Sequence, residues 1–203
     1  MAHIALIGAS GAAGSRILKE LSERGHTVTA IARRPERIAS LPGVTAVKGD
    51  ALDLSGLATA LGGHDAVVSA ANFTSTEPRT LLDAVRASGV RRYLVVGGAG
   101  SLEVAPGRRV IDLPDFPEAY KEEASRGAEF LAQLRQETEL DWTFLSPSAE
   151  FVPGERTGRF RLGKEALLSN EQGSRISFED YAVAMVDEIE RPAHTRQRFT
   201  VGY

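Results

Sequence analysis

The sequence predicts a single α/β domain over residues 1–203: a doubly wound, mostly parallel sheet of about seven strands with helices on both faces. Three observations predict it. Short β-branched runs alternate with amphipathic stretches along the whole chain. The early runs, Ile4–Ile7 and Tyr93–Val96 among them, are unbroken in apolar residues, as expected of strands buried on both faces. Glycines close the helical stretches just before the next run, at Gly25, Gly62-Gly63 and Gly89.

The first strand is His3–Ile7, and Ile17, Leu18 and Leu21 then share one face of a helix over Ser15–Arg24. Thr27–Ala32 and Val44–Lys48 follow as the second and third strands. Asp53 carries a carboxylate suited to the free N–H groups of a first helical turn, so a helix is expected to begin near Ser55. After the fourth strand, Ala66–Ser69, comes a helix over Thr80–Ser88 with Leu81, Leu82 and Val85 on one face. The fifth strand is Arg92–Val96. Within Tyr120–Glu137, Ala124, Ala128, Leu131 and Leu134 recur at helical spacing, which reads as an amphipathic crossover helix with a solvated charged face. Trp142–Leu145 and Phe199–Val201 complete the set. The longest unpatterned stretches, Gly97–Pro117 and Ser146–Leu162, both follow strands and are expected to rim a ligand crevice at the carboxyl ends.

Composition removes several classes. A chain of 203 residues buries roughly 70% of its unfolded surface and builds a core without staples. It has no cysteine, hence no disulfide framework, thiolate metal site or thiol nucleophile, which suits a reducing compartment; the cytoplasm is the expected location. MAHIALIG lacks a basic stretch before its short apolar run, and no segment approaches the ~20 apolar residues of a membrane span. With 24 basic and 27 acidic side chains the net charge is −3, with no basic stripe for nucleic acid. The histidines at 3, 26, 64 and 194 show no ligand spacing, so no metal site is expected, and no G-x-S-x-G elbow occurs. Gly158-x-x-x-x-Gly163-Lys164 imitates a phosphate loop, but Glu165 stands where a magnesium-binding hydroxyl belongs, and the match reads as coincidence.

Directly after the first strand comes Gly8-Ala9-Ser10-Gly11-Ala12-Ala13-Gly14, a GxxGxxG loop leading into a helix. No residue in it is bulky, so the backbone can press against a pyrophosphate at the helix N-terminus. Gly8 permits the tight turn, Gly11 the close approach, and Gly14 the packing of helix on strand. The second strand ends in Arg33-Arg34, where an NAD-preferring site places a carboxylate for the ribose hydroxyls. Two guanidiniums suit a 2′-phosphate instead, so NADP(H) is the expected cofactor. Asp50, after the third strand, is the candidate acceptor for an adenine amino group, and Ser69-Ala70-Ala71 is small enough for a cofactor to lie on.

The ordered set GASGAAG, ARRPER, KGDALD, VVSAAN, LVVGGAGS and WTFLSPSAEFVPGERTG, spread over almost the whole chain, resembles the short-chain dehydrogenase/reductase superfamily. It is most similar to the atypical, NmrA-like and biliverdin reductase B-like branch of NAD(P)-binding proteins. The resemblance implies a Rossmann fold. It implies that Ser10, Gly11, Ala12 and Ala13 hold the pyrophosphate, Arg33 and Arg34 the 2′-phosphate, and Asp50 with Ala51 the adenine. Ala70 and Ala71 would line the adenosine ribose, and Pro147, Ser148 and Ala149 would border the nicotinamide. One departure matters. Classical members use Tyr-x-x-x-Lys, in which the ammonium lowers the phenol pKa from about 10. Of the four tyrosines here none has lysine four positions on.

Tyr120 still opens the helix expected before the sixth strand, and Ser101 stands where this branch places a hydroxyl donor for its substrate; a serine there equally closes a turn. Phe73, Phe116 and Phe151 would wall a planar acceptor or belong to the core. The reading is therefore an NADP(H)-dependent oxidoreductase passing hydride to a conjugated acceptor, a flavin, quinone or tetrapyrrole, with Ser101 and Tyr120 as candidate catalytic residues. The alternative is a non-catalytic NADP(H)-binding sensor of NmrA-like type. A small-molecule acceptor is the expected partner, with neither nucleic acid nor membrane; the sequence leaves the oligomeric state open.

Overall fold

The computed structural model describes residues 1–203. Twelve strands and five α-helices follow one another as β1 (His3–Ile7), α1 (Ala12–Glu23), β2 (Thr27–Ala32), β3 (Val44–Lys48), α2 (Leu54–Leu61), β4 (Ala66–Ser69), α3 (Pro78–Ser88), β5 (Arg92–Val96), β6 (Glu103–Ala105), β7 (Arg108–Arg109), α4 (Lys121–Leu134), β8 (Asp141–Pro147), β9 (Glu150–Val152), β10 (Arg161–Gly163), β11 (Arg175–Ser177), α5 (Phe178–Glu190) and β12 (Gln197–Gly202). The main sheet has eight strands in the order β10-β12-β8-β5-β4-β1-β2-β3. All neighbours pair in parallel except β10, which runs antiparallel on β12. The chain starts at β1 and winds out in both directions, so the order reverses between β1 and β4, where a ligand crevice opens at the strands' carboxyl ends.

The unbroken apolar runs are explained by two cores. Ile4 and Leu6 of β1 face α1 and α5 with Ile17, Leu18, Leu21, Tyr181, Met185 and Phe199. Ala5 and Ile7 face the other way, toward α2, α3 and α4, with Leu57, Leu81, Val85, Phe130 and Phe144. Alternation at period two survives; both faces are simply buried. Each fully buried leucine or isoleucine in these layers contributes about 1.5–3 kcal/mol.

All seven sequence-predicted strands are present, and Asp53 caps α2, accepting the Gly56 N–H at 3.0 Å. Three features differ from expectation. α1 begins at Ala12, three residues before the expected start, because small residues continue the helix to the glycine loop. The alternation of strand and helix fails between β2 and β3, where the crossover is a short 3-10 turn, Pro35–Arg37. The false phosphate loop contains the antiparallel edge strand β10. No helix is long and apolar enough to cross a membrane.

Candidate functional site

The crevice at the switch point is lined by the end of β1 and the glycine loop (Ile7, Gly8, Ser10, Gly11), by β2 and its exit (Ile31, Ala32, Arg33), and by the β3 exit (Gly49, Asp50, Ala51). The β4 exit closes it with Ala70, Ala71, Asn72, Ser75 and Thr76. The loop geometry admits only glycine at two places. Gly8 has φ of 78°, and a Cβ there would lie 2.7 Å from the Ala70 carbonyl oxygen; a Cβ on Gly14 would lie 2.2 Å from the Gly8 carbonyl oxygen. These contacts let β1, β4 and the start of α1 converge.

Gly11 caps α1 without a side-chain bond, and no acidic residue stands in the first turn. The Ala12, Ala13 and Gly14 amides, which precede the first intrahelical donor, the Ser15 N–H on the Gly11 carbonyl, are therefore free and point out of a helix N-terminus, an arrangement made for an anion. By contrast α2 and α5 begin at side-chain caps of their own, Asp53 and Ser177, whose oxygens take the Gly56 and Asp180 amides. The cradle thus fits a dinucleotide pyrophosphate on the chemistry of its donors.

At the far end, Arg33 and Arg34 are exposed and neither side chain sits on a carboxylate. That distinguishes them from Arg24, Arg86, Arg92, Arg156 and Arg198, each held by an acidic partner. Arg37 is a third exposed guanidinium without a carboxylate, one turn further on. Asp50 accepts the Leu52 amide on one carboxylate oxygen at 3.0 Å, which leaves the other free in the crevice.

Of the residues singled out in the sequence, Gly8, Ser10, Gly11, Arg33, Asp50, Ala51, Ala70 and Ala71 come together here. Arg34 stands beside them as the residue before the Pro35–Arg37 turn. Asn72, Ser75 and Thr76 were missed; the two hydroxyls donate to the Asn72 carbonyl and fold the β4 exit into the wall. The signal available was their place just beyond the small pair Ala70-Ala71.

The acceptor side departs further from expectation. Ser148 is fully buried and its hydroxyl donates to the Val201 carbonyl at 3.1 Å, because β8 continues through Pro147 and keeps the chain inside; Ala149 is exposed. The loop beyond β9 does not stay at the rim. Arg156 forks onto Glu20, both bonds at 2.7 Å, Gly154 donates to Glu179, and Thr157 and Gly158 donate to the fully buried Asp180 at 2.6 and 2.7 Å. These bonds fasten it along α1 and α5. Phe73 is core, packed on Phe130 and Phe144, and Phe151 packs on Phe178 and Tyr181.

Ser101 lies half-buried after β5, and its hydroxyl oxygen accepts a bond from Arg198 at 3.1 Å. Tyr120 precedes α4, 65% exposed. The remaining tyrosines offer no proton relay: burial pushes the phenols of Tyr93 and Tyr181 far up, Tyr181 donates to the Leu145 carbonyl at 2.7 Å, and Tyr203 donates to Asp180 at 2.8 Å.

Comparison with known proteins agrees with this geometry. Residues 8–192 match the NAD(P)H-binding family, and the chain belongs to it. The uncharacterized Bacillus subtilis protein YwnB is 42% identical across 98% of this chain and 97% of its own. A solved Bacteroides thetaiotaomicron protein named as a candidate epimerase is 44% identical (TM-score 0.94; 99% and 96% of the two chains). One from Burkholderia pseudomallei named as a candidate exported protein is 46% identical (0.90; 100% of both). A candidate NADH-flavin reductase from Streptococcus pneumoniae is 36% identical (0.83; 100% and 99%). The chain is thus a Rossmann-fold member of the NAD(P)H-binding family.

Proposed function

We propose that the protein is an NADPH-dependent reductase of a conjugated small-molecule acceptor such as a flavin, quinone or tetrapyrrole. The observation that carries this reading is a glycine-cradled crevice with unpaired guanidiniums at the β2 exit, where an NAD-preferring site places a carboxylate, on a sheet edge without the tyrosine–lysine pair. Bound NADPH supplies the hydride, and the chain supplies binding and orientation. The Ala12, Ala13 and Gly14 amides take the pyrophosphate, Arg33 and Arg34 pair with the 2′-phosphate, and the free Asp50 oxygen accepts from the adenine amino group. Ser101 and Tyr120 offer O–H donors to the acceptor, while Pro147 and Ala149 flank the nicotinamide end. An acceptor that is already electrophilic needs no ionised phenol. The likeness to the streptococcal protein named for flavin reduction favours this acceptor class. Epimerisation fits less well, since the phenol–ammonium pair is missing. A reducing, cytoplasmic location suits a chain without cysteine.

The test is anaerobic oxidation of NADPH by a panel of flavins, quinones and tetrapyrroles. Saturable oxidation with one class is expected. If no acceptor is reduced faster than in a protein-free control, the reading fails and the NADP(H)-sensor alternative replaces it.

A further inference from the structure

Arg198 is the second residue of β12, opposite Phe144 of β8, on the sheet face that carries α4. Its side chain is buried and its guanidinium makes four hydrogen bonds to two partners. Nε, at 3.1 Å, and Nη2 hold the Glu165 carboxylate, which Arg135 also grips at 2.8 Å. Nη1 donates to the Ser101 hydroxyl oxygen at 3.1 Å and Nη2 to the Ser101 carbonyl at 3.3 Å. Ser101 has one proton to give, and no carbonyl or carboxylate of the chain receives it, although the residue is only half-buried.

We propose that Arg198 is a positioning residue that holds the Ser101 hydroxyl as a one-way donor to a carbonyl oxygen of the conjugated acceptor. This rests on the reductase reading and names the group that stands in for the missing tyrosine–lysine pair. A hydroxyl that accepts from a cation is polarised and donates more strongly, and its rotation is fixed because the lone pair must face the guanidinium. Arg198, Arg135 and the Glu165 they share carry one net positive charge, which favours the negative charge that builds on the acceptor oxygen as hydride arrives. The balance is simple: the acceptor gains a hydride and one proton from water, and Ser101 keeps its own proton throughout. Glu165 neutralises the guanidinium, so breaking the Ser101 bond leaves no bare charge behind.

A mere fastener of the β5 loop would affect stability alone, so the experiment reads coupling. Ser101→Ala, Arg198→Lys and the double variant are compared in kcat with the best acceptor, in flavin mononucleotide affinity by fluorescence quenching, and in NADPH affinity. Each single substitution is expected to lower kcat about 10- to 100-fold and to weaken flavin binding, with NADPH affinity unchanged. The double variant is expected to be no worse than Ser101→Ala. Glu165→Gln, which loosens the guanidinium without touching Ser101, supplies a second reading should Arg198→Lys fail to fold: kcat falls in the wild-type background and not beside Ser101→Ala. Losses that add in the double variant, or flavin binding and turnover indifferent to Arg198→Lys, overturn the proposal while the reductase reading stands. A wild-type chain that reduces no acceptor overturns both.

Discussion

Around Gly8–Gly14 the crevice is shaped by backbone, with two glycines in contact and three amides left open, all within one stretch of sequence. The loops after β5 and β9 are shaped by side chains from distant elements instead. Arg198 grips Ser101, Glu20 grips Arg156, and Asp180 receives Thr157, Gly158 and Tyr203. The first arrangement tolerates no added atom and recognises a constant ligand part. The second is a set of replaceable bonds, so its loops can be retuned for different acceptors without disturbing the cradle. That division agrees with relatives of one fold bearing unlike names.

The sharpest way to break the comparison is Gly14→Ala. The added Cβ would stand 2.2 Å from the Gly8 carbonyl oxygen, and only backbone movement can relieve it. NADPH binding is expected to weaken by about 100-fold or more, read by titration beside a circular-dichroism control. Affinity within about twofold of wild type would mean that the cradle is not backbone-limited.

A smaller effect belongs to the strapped loop. Burial pushes the Glu20 carboxyl up, but the bonds and charges of Arg156 and Arg24 outweigh it and hold the group below the ordinary carboxylate range. A carboxyl held down in the folded state contributes stability that is complete above its unfolded value and is lost as pH falls through the folded one. Glu20→Gln is therefore expected to flatten the acid limb of the unfolding free energy below about pH 5 and to leave NADPH affinity at neutral pH unchanged. An acid limb as steep as wild type, or weakened NADPH binding, would show that loop and cradle are not separate.

The same division decides what could be read from sequence. The parallel strands, the Asp53 cap and the glycine cradle were legible because each is encoded in contiguous residues with a fixed period or spacing. The β2–β3 crossover was not, since Pro35 starts a turn that never gathers a helical face. The edge strand Arg161–Gly163 is three residues long and exists through pairing with β12, which local pattern cannot announce. The burial of the Ser148 hydroxyl is not legible locally, because its partner, the Val201 carbonyl, lies on another strand. The Arg198–Ser101 bond was hidden for the same reason.

The most direct test of the account is titration of NADPH and NADH against the wild-type chain and an Arg33→Ala, Arg34→Asp double variant. Charged hydrogen bonds to a 2′-phosphate contribute about 1.5–3 kcal/mol, so the wild type is expected to prefer NADPH about 10- to 100-fold and the variant to prefer NADH. A wild type that binds both equally, or a variant with an unchanged ratio, would contradict the assignment of Arg33 and Arg34 and the NADPH specificity built on it.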